Sequence, residues 1–194
     1  MRPIQKLLAA AVAIAGLPVS ALPFSAEAAT LGGTDYATQY EYREFYSIAD
    51  NRPFRVVLLG NPFPNMQIGE VANRMLPVMQ AQKPPPRLTF TYDVPVEPPH
   101  PDYRAVLVFD AAPNLSADTV CKGGRAFRPG TPGRVDLFAV YCRNDQFLSQ
   151  VLATTGAAAP DDPAMGALFR ELFSVLFSRQ PSLMPQTSGS NFRR

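Results

Sequence analysis

The sequence predicts an α+β domain, a mostly antiparallel sheet of four or five strands with two or three helices packed on one face. Three observations predict it: the apolar, strand-length runs FRVVLL at 54–59 and YRAVLVF at 103–109; the alternation of RLTFTY at 87–92; and stretches after residues 65 and 162 whose apolar residues recur at helical spacing.

The chain begins MRPIQKLLAAAVAIAGLPVSALPFSAEAAT. Arg2 and Lys6 precede an apolar run from Leu7 to Val19, and Ala26-Glu27-Ala28 supplies a small-residue cleavage signal, so residues 1–28 are expected to be a cleaved signal peptide. Gly16, Pro18 and Pro23 interrupt the run, whereas a membrane span requires about 20 consecutive apolar residues. The expected location is periplasmic or secreted, with no transmembrane span in the mature chain. Cleavage leaves 166 of 194 residues, with 29–183 read as one domain and 184–194 as a disordered tail. The mature chain carries 16 basic and 15 acidic residues, a balance that creates no field to attract nucleic acid.

DYATQYEYREFYSIAD follows, with Tyr36, Tyr40, Tyr42, Phe45 and Tyr46 within eleven residues. Tyr40, Tyr42 and Glu44 alternate with Glu41 and Arg43 as in a strand, although Tyr36 and Tyr40 also have helical spacing; a strand is the expectation, with helix left open. Phe54–Leu59, apolar throughout, suits a central strand covered on both faces. After its Gly-Asn-Pro turn, Ile68, Val71, Ala72, Met75 and Leu76 form one helical face, with Asn65 as N-cap and Pro77 ending or kinking the helix. Leu88, Phe90, Tyr92 and Val94 alternate with Thr89, Thr91 and Asp93, predicting a half-buried strand with the first set inward. The short PVEPPHP connection to YRAVLVFD predicts an antiparallel hairpin.

A Gly- and Pro-rich excursion leads to VDLFAVYC, the last expected strand. NDQFLSQVLATTG reads as a short helix capped by Asn144 and ended by Gly156, with Phe147, Leu148, Val151 and Leu152 on one side. The final helix has Asp162 as N-cap and Pro163 in its first turn, then Met165, Leu168, Phe169, Leu172, Phe173 and Leu176 on a broad apolar face; Arg179 and Pro181 mark its end. FRVVLLGNPFPN and YRAVLVFDAAPN echo each other 49 residues apart, read as two strands that end alike.

Cys121 and Cys142 are the only cysteines, and an even number in an exported chain predicts a disulfide. Signals for chemistry are sparse. His100 stands alone in PPHPD without the partners that acid–base catalysis or metal binding needs. No nucleophile elbow, zinc helix, phosphate loop or calcium loop occurs, so neither a catalytic residue, a metal site nor a cofactor is predicted. Lys122, Arg125, Arg128 and Arg134 form the one local charge bias, and with the free amides of a Gly-rich loop they are candidate anion-binding residues. The leading expectation is a non-catalytic envelope protein that binds an unknown envelope partner. The alternatives are an anion or envelope-lipid binder using loop 122–134, and a hydrolase whose carboxylates meet only in the fold.

Overall fold

The computed structural model describes residues 29–97 and 99–181; the expected signal peptide and the expected tail lie outside the described residues. The elements run β1 (Thr30–Tyr36), α1 (Tyr42–Ala49), β2 (Arg52–Leu59), α2 (Ile68–Ala81), β3 (Leu88–Thr91), β4 (Tyr103–Phe109), α3 (Ala117–Cys121), β5 (Arg134–Arg143), β6 (Gln146–Gly156) and α4 (Pro163–Leu176). The result is an α+β fold built on one six-stranded sheet of order β1-β6-β5-β4-β2-β3.

The sheet is mixed. β1, β6, β5 and β4 run antiparallel in succession, but β2 is parallel to both β4 and β3. This replaces the expected hairpin between β3 and β4, and the stagger of the strands shows why no helix is needed there. Arg55 pairs with Thr91 at the end of β3 and with Arg104 at the start of β4. The two strands therefore meet β2 at the same level, and the intervening loop has only to cross β2 instead of returning along its whole length. The sequence echo has a structural meaning as well. From Arg55↔Arg104 to Leu59↔Val108 it is the register in which β2 and β4 pair.

Four further expectations change. The Tyr-rich segment is helical over α1, because Phe45 and Ala49, four residues apart, both enter the core. Residues 146–156 form β6, joined to β5 by the two-residue turn Asn144-Asp145; Asn144 takes a positive φ of 52° and begins this tight hairpin rather than a helix. Pro77 neither ends nor caps α2, which runs on to Ala81. Pro77 and Asn73 both lie on the exposed face, so the Asn73 carbonyl that Pro77 cannot serve is open to solvent. The N-cap position is Gln67 and not Asn65.

α1, α2 and α4 cover one face of the sheet. Its centre is aromatic: Phe45 stacks on Phe177 with ring centroids 4.2 Å apart, and Phe54 and Tyr141 meet Phe177 edge-on at 5.6 and 5.3 Å. α4 joins this face as expected, with the Asp162 carboxylate accepting from the Ala164 amide and its six predicted apolar residues buried. The opposite face carries a smaller cluster, in which Ala117, Val120 and Cys121 of α3 pack on Val106, Val108, Phe138 and Val140. Helices thus occupy both faces.

Candidate functional site

The predicted disulfide is present. Cys121 at the end of α3 is bonded to Cys142 in β5, with Cα atoms 5.6 Å apart, and so fixes the start of the basic loop to the sheet. The Arg104 guanidinium adds a second tie by donating to the Cys121 carbonyl at 2.6 Å and to Asp102 at 2.6 Å.

The four cations of loop 122–134 do not converge. Arg128 and Arg134 both turn to Asp136, at 2.8 and 2.9 Å, and Thr154 donates to the same carboxylate at 2.7 Å. Lys122 and Arg125 are exposed and form no ion pair among the described residues. Asp110 lies beside this cluster, close against Gly130, and its carboxyl is pushed above the usual carboxylate range by burial first and then by Asp136, with Arg128 pulling the other way. Asp136, engaged by two guanidinium groups and a hydroxyl, is an anion that neutralises these two arginines within the fold.

The opening turn after β2 is likewise committed to the fold. Asn61 donates through its side-chain amide to the Met66 carbonyl at 2.9 Å and accepts from the Phe63 amide at 3.0 Å, closing the turn on itself.

A different surface surrounds the crossing between β3 and β4. Val94, expected to point inward, is 63% exposed, and Val96 is 101% exposed. β3 ends at Thr91, and beyond Tyr92 the chain leaves the sheet to cross β2, so the strand alternation no longer places Val94. Beneath the loop lie two adjoining cavities of about 350 and 230 Å³ that share Pro53, Pro99 and Tyr103. His100 borders the first, and Arg55, Asp93 and Asp102 border the second. Tyr103 is held from below: its hydroxyl donates to Glu44 at 2.5 Å, and Arg143 binds the same carboxylate at 2.8 Å. Burial first, and then Glu44, pushes the Tyr103 hydroxyl up to about 12. Among the described residues no three His, Cys, Asp or Glu side chains gather as a metal ion requires.

A third surface lies across the helical face, where the ends of α2 and α4 meet α1. It is an open groove of about 580 Å³ lined by Tyr42, Lys83, Pro84, Pro85, Arg170 and Arg179 together with Gln82, Ser174, Phe177, Ser178 and Gln180. Sequence reasoning passed over its cations because Lys83, Arg170 and Arg179 are scattered along the chain. The available signal was local: residues 166, 167, 173 and 174, the helical neighbours of Arg170, are Gly, Ala, Phe and Ser, none able to neutralise it.

The fold and these surfaces define an α+β domain with a mixed sheet, and the described residues include no helix long and apolar enough to cross a membrane. No protein-family model matches the chain, and a search of curated proteins finds no match. Among solved structures it is similar to a PelC variant from Paraburkholderia phytofirmans, solved as a dodecamer, at 12% identity and a TM-score of 0.40, covering 78% of this chain and 99% of that chain. A likeness at this level assigns no function.

Proposed function

We propose that the chain is an exported, periplasmic, envelope-associated protein that acts by holding a protein partner rather than by catalysis. The observation that carries this reading is the pair Val94 and Val96, two large apolar side chains presented to solvent on one short loop. Pro95, Pro99 and Pro101 restrict that loop, so a partner that covers the valines loses little chain entropy. The adjoining cavities around Tyr103 give such a partner relief to fit, and the Glu44–Arg143 pair keeps the Tyr103 ring in place. Full burial of each valine is worth about 1.5 kcal/mol, or about tenfold in affinity.

The test combines fractionation with capture. The tagged chain is expected in the periplasmic fraction, lacking residues 1–28, and a discrete envelope protein is expected to co-purify. Val94→Ser with Val96→Ser should weaken that capture at least about tenfold while leaving the thermal melt unchanged. A cytoplasmic chain, or capture indifferent to both substitutions, defeats the proposal.

A second reading, an anion-binding loop, is favoured by Lys122 and Arg125, which stand exposed and outside the Asp136 cluster. Its mark is polyanion binding that falls on Arg125→Ala.

A further inference from the structure

We infer that the groove between α1 and the ends of α2 and α4 binds an anionic amphiphile, a phosphate-type head group joined to an apolar chain. Three cations line it, Lys83, Arg170 and Arg179, and among the described residues no carboxylate does. Two of them already interact with groups of the chain itself. Lys83 follows the end of α2 and donates to the Leu88 carbonyl at 2.9 Å, and Arg179 follows the end of α4, where its guanidinium lies 5.5 Å from the centre of the Tyr42 ring.

Arg170 is different. It projects exposed from the middle of α4, away from the terminal carbonyls, and has neither an ion pair nor a hydrogen bond among the described residues. A guanidinium without an ion pair or hydrogen bond, lining the same concave surface as a lysine and a second guanidinium, is suited to an oxyanion. Asp50 is the acid in the adjoining depression, on the far side of Pro85 and Arg179.

The floor and ends of the groove select the rest of the ligand. Pro84, Pro85, Tyr42 and the edge of Phe177 form an apolar surface beside the cations. Inorganic phosphate alone leaves this surface wet, whereas an attached alkyl chain covers it. The volume, about 580 Å³, falls within the range of small-molecule sites, roughly 300–1,000 Å³. This site is separate from loop 122–134 and from the Val94–Val96 surface, and it does not depend on either.

The probe is dodecyl phosphate, titrated below its micelle-forming concentration into the chain purified after export, with inorganic phosphate and dodecyl maltoside as parallel arms. Saturable binding of one dodecyl phosphate is expected, weakened about tenfold by Arg170→Gln and again by Arg179→Gln, and unchanged by Arg125→Gln in the basic loop. Arg170 has no ion pair or hydrogen bond among the described residues, so Arg170→Gln is expected to leave the fold intact, and matching thermal melts check this. The inference is overturned by absence of saturable binding, by affinity indifferent to Arg170→Gln, or by dodecyl maltoside binding as tightly. Equal affinity for inorganic phosphate overturns the apolar half of the site.

Discussion

Asp110 carries its charge against the local field. Burial and the neighbouring Asp136 raise its carboxyl, and Arg128 offsets them only in part. A carboxyl raised in the folded state favours the fold while protonated; that contribution is present below the unfolded value and is lost as pH rises through the folded one. Asp110→Asn removes the titration, and asparagine tolerates the positive φ of 50° at this position. The variant is expected to melt higher than the wild type at pH 7, with less difference between the two at pH 4. Thermal melts at both pH values check it, and a variant less stable at neutral pH would contradict the account. Asp110 was legible in the sequence only as the residue where a strand meets its turn, because its proximity to Asp136 comes from the antiparallel pairing of β4 and β5. The same holds for Arg128 and Arg134, whose spacing suggested a shared anion until the fold supplied Asp136.

At the scale of elements, the parallel pairing of β2 with β4 makes a demand on the turn after β2. Gly60 has φ of +82°, and a Cβ built there would approach the Phe109 carbonyl oxygen to 2.6 Å. Gly60→Ala is expected to destabilise the protein by about 1–2 kcal/mol, read as a lower denaturation midpoint with an unchanged slope. Equal stability would mean that the strands separate there at little cost. α3 depends on a different constraint. Reducing Cys121–Cys142, which closes a sequence separation of 21 residues, is expected to cost about 3 kcal/mol and to loosen the basic loop. Amide exchange faster at 122–134 than elsewhere after reduction is the corresponding observation; uniform protection would count against it.

Strands β2 and β4 were readable because unbroken apolar runs have few alternatives, and α4 because its cap and its face agree. β6 was not. The register shift between Tyr141 and Cys142 inserts an extra residue opposite β5, so Leu148 and Val151, an odd number apart, both enter the same core. That spacing imitates a helix. β1 escaped notice for the opposite reason: TLGGTDY has too few apolar residues to alternate, and it is held at the edge by pairing with β6.

For the whole molecule, the scaffold leaves three surfaces uncommitted: the remaining cations Lys122 and Arg125 of the disulfide-anchored loop, the cationic groove on the helical face, and the apolar loop that crosses β2. Two of the three lie on connections, and the groove lies where helices α1, α2 and α4 meet the segments that follow them, so none is on the sheet itself. Only the basic loop was legible beforehand; exposure of Val94 and Val96 follows from the level at which β3 and β4 meet β2, a tertiary fact. The partner-holding proposal stands or falls on that crossing loop. The most direct measurement places a photocrosslinking residue at position 96 of the exported chain in living cells, and another at the exposed position 118 on α3 as reference. The account predicts one discrete adduct with an envelope protein from position 96, abolished by Val94→Ser, and none of that mass from position 118. The same adduct from both positions, or none from position 96, would contradict it.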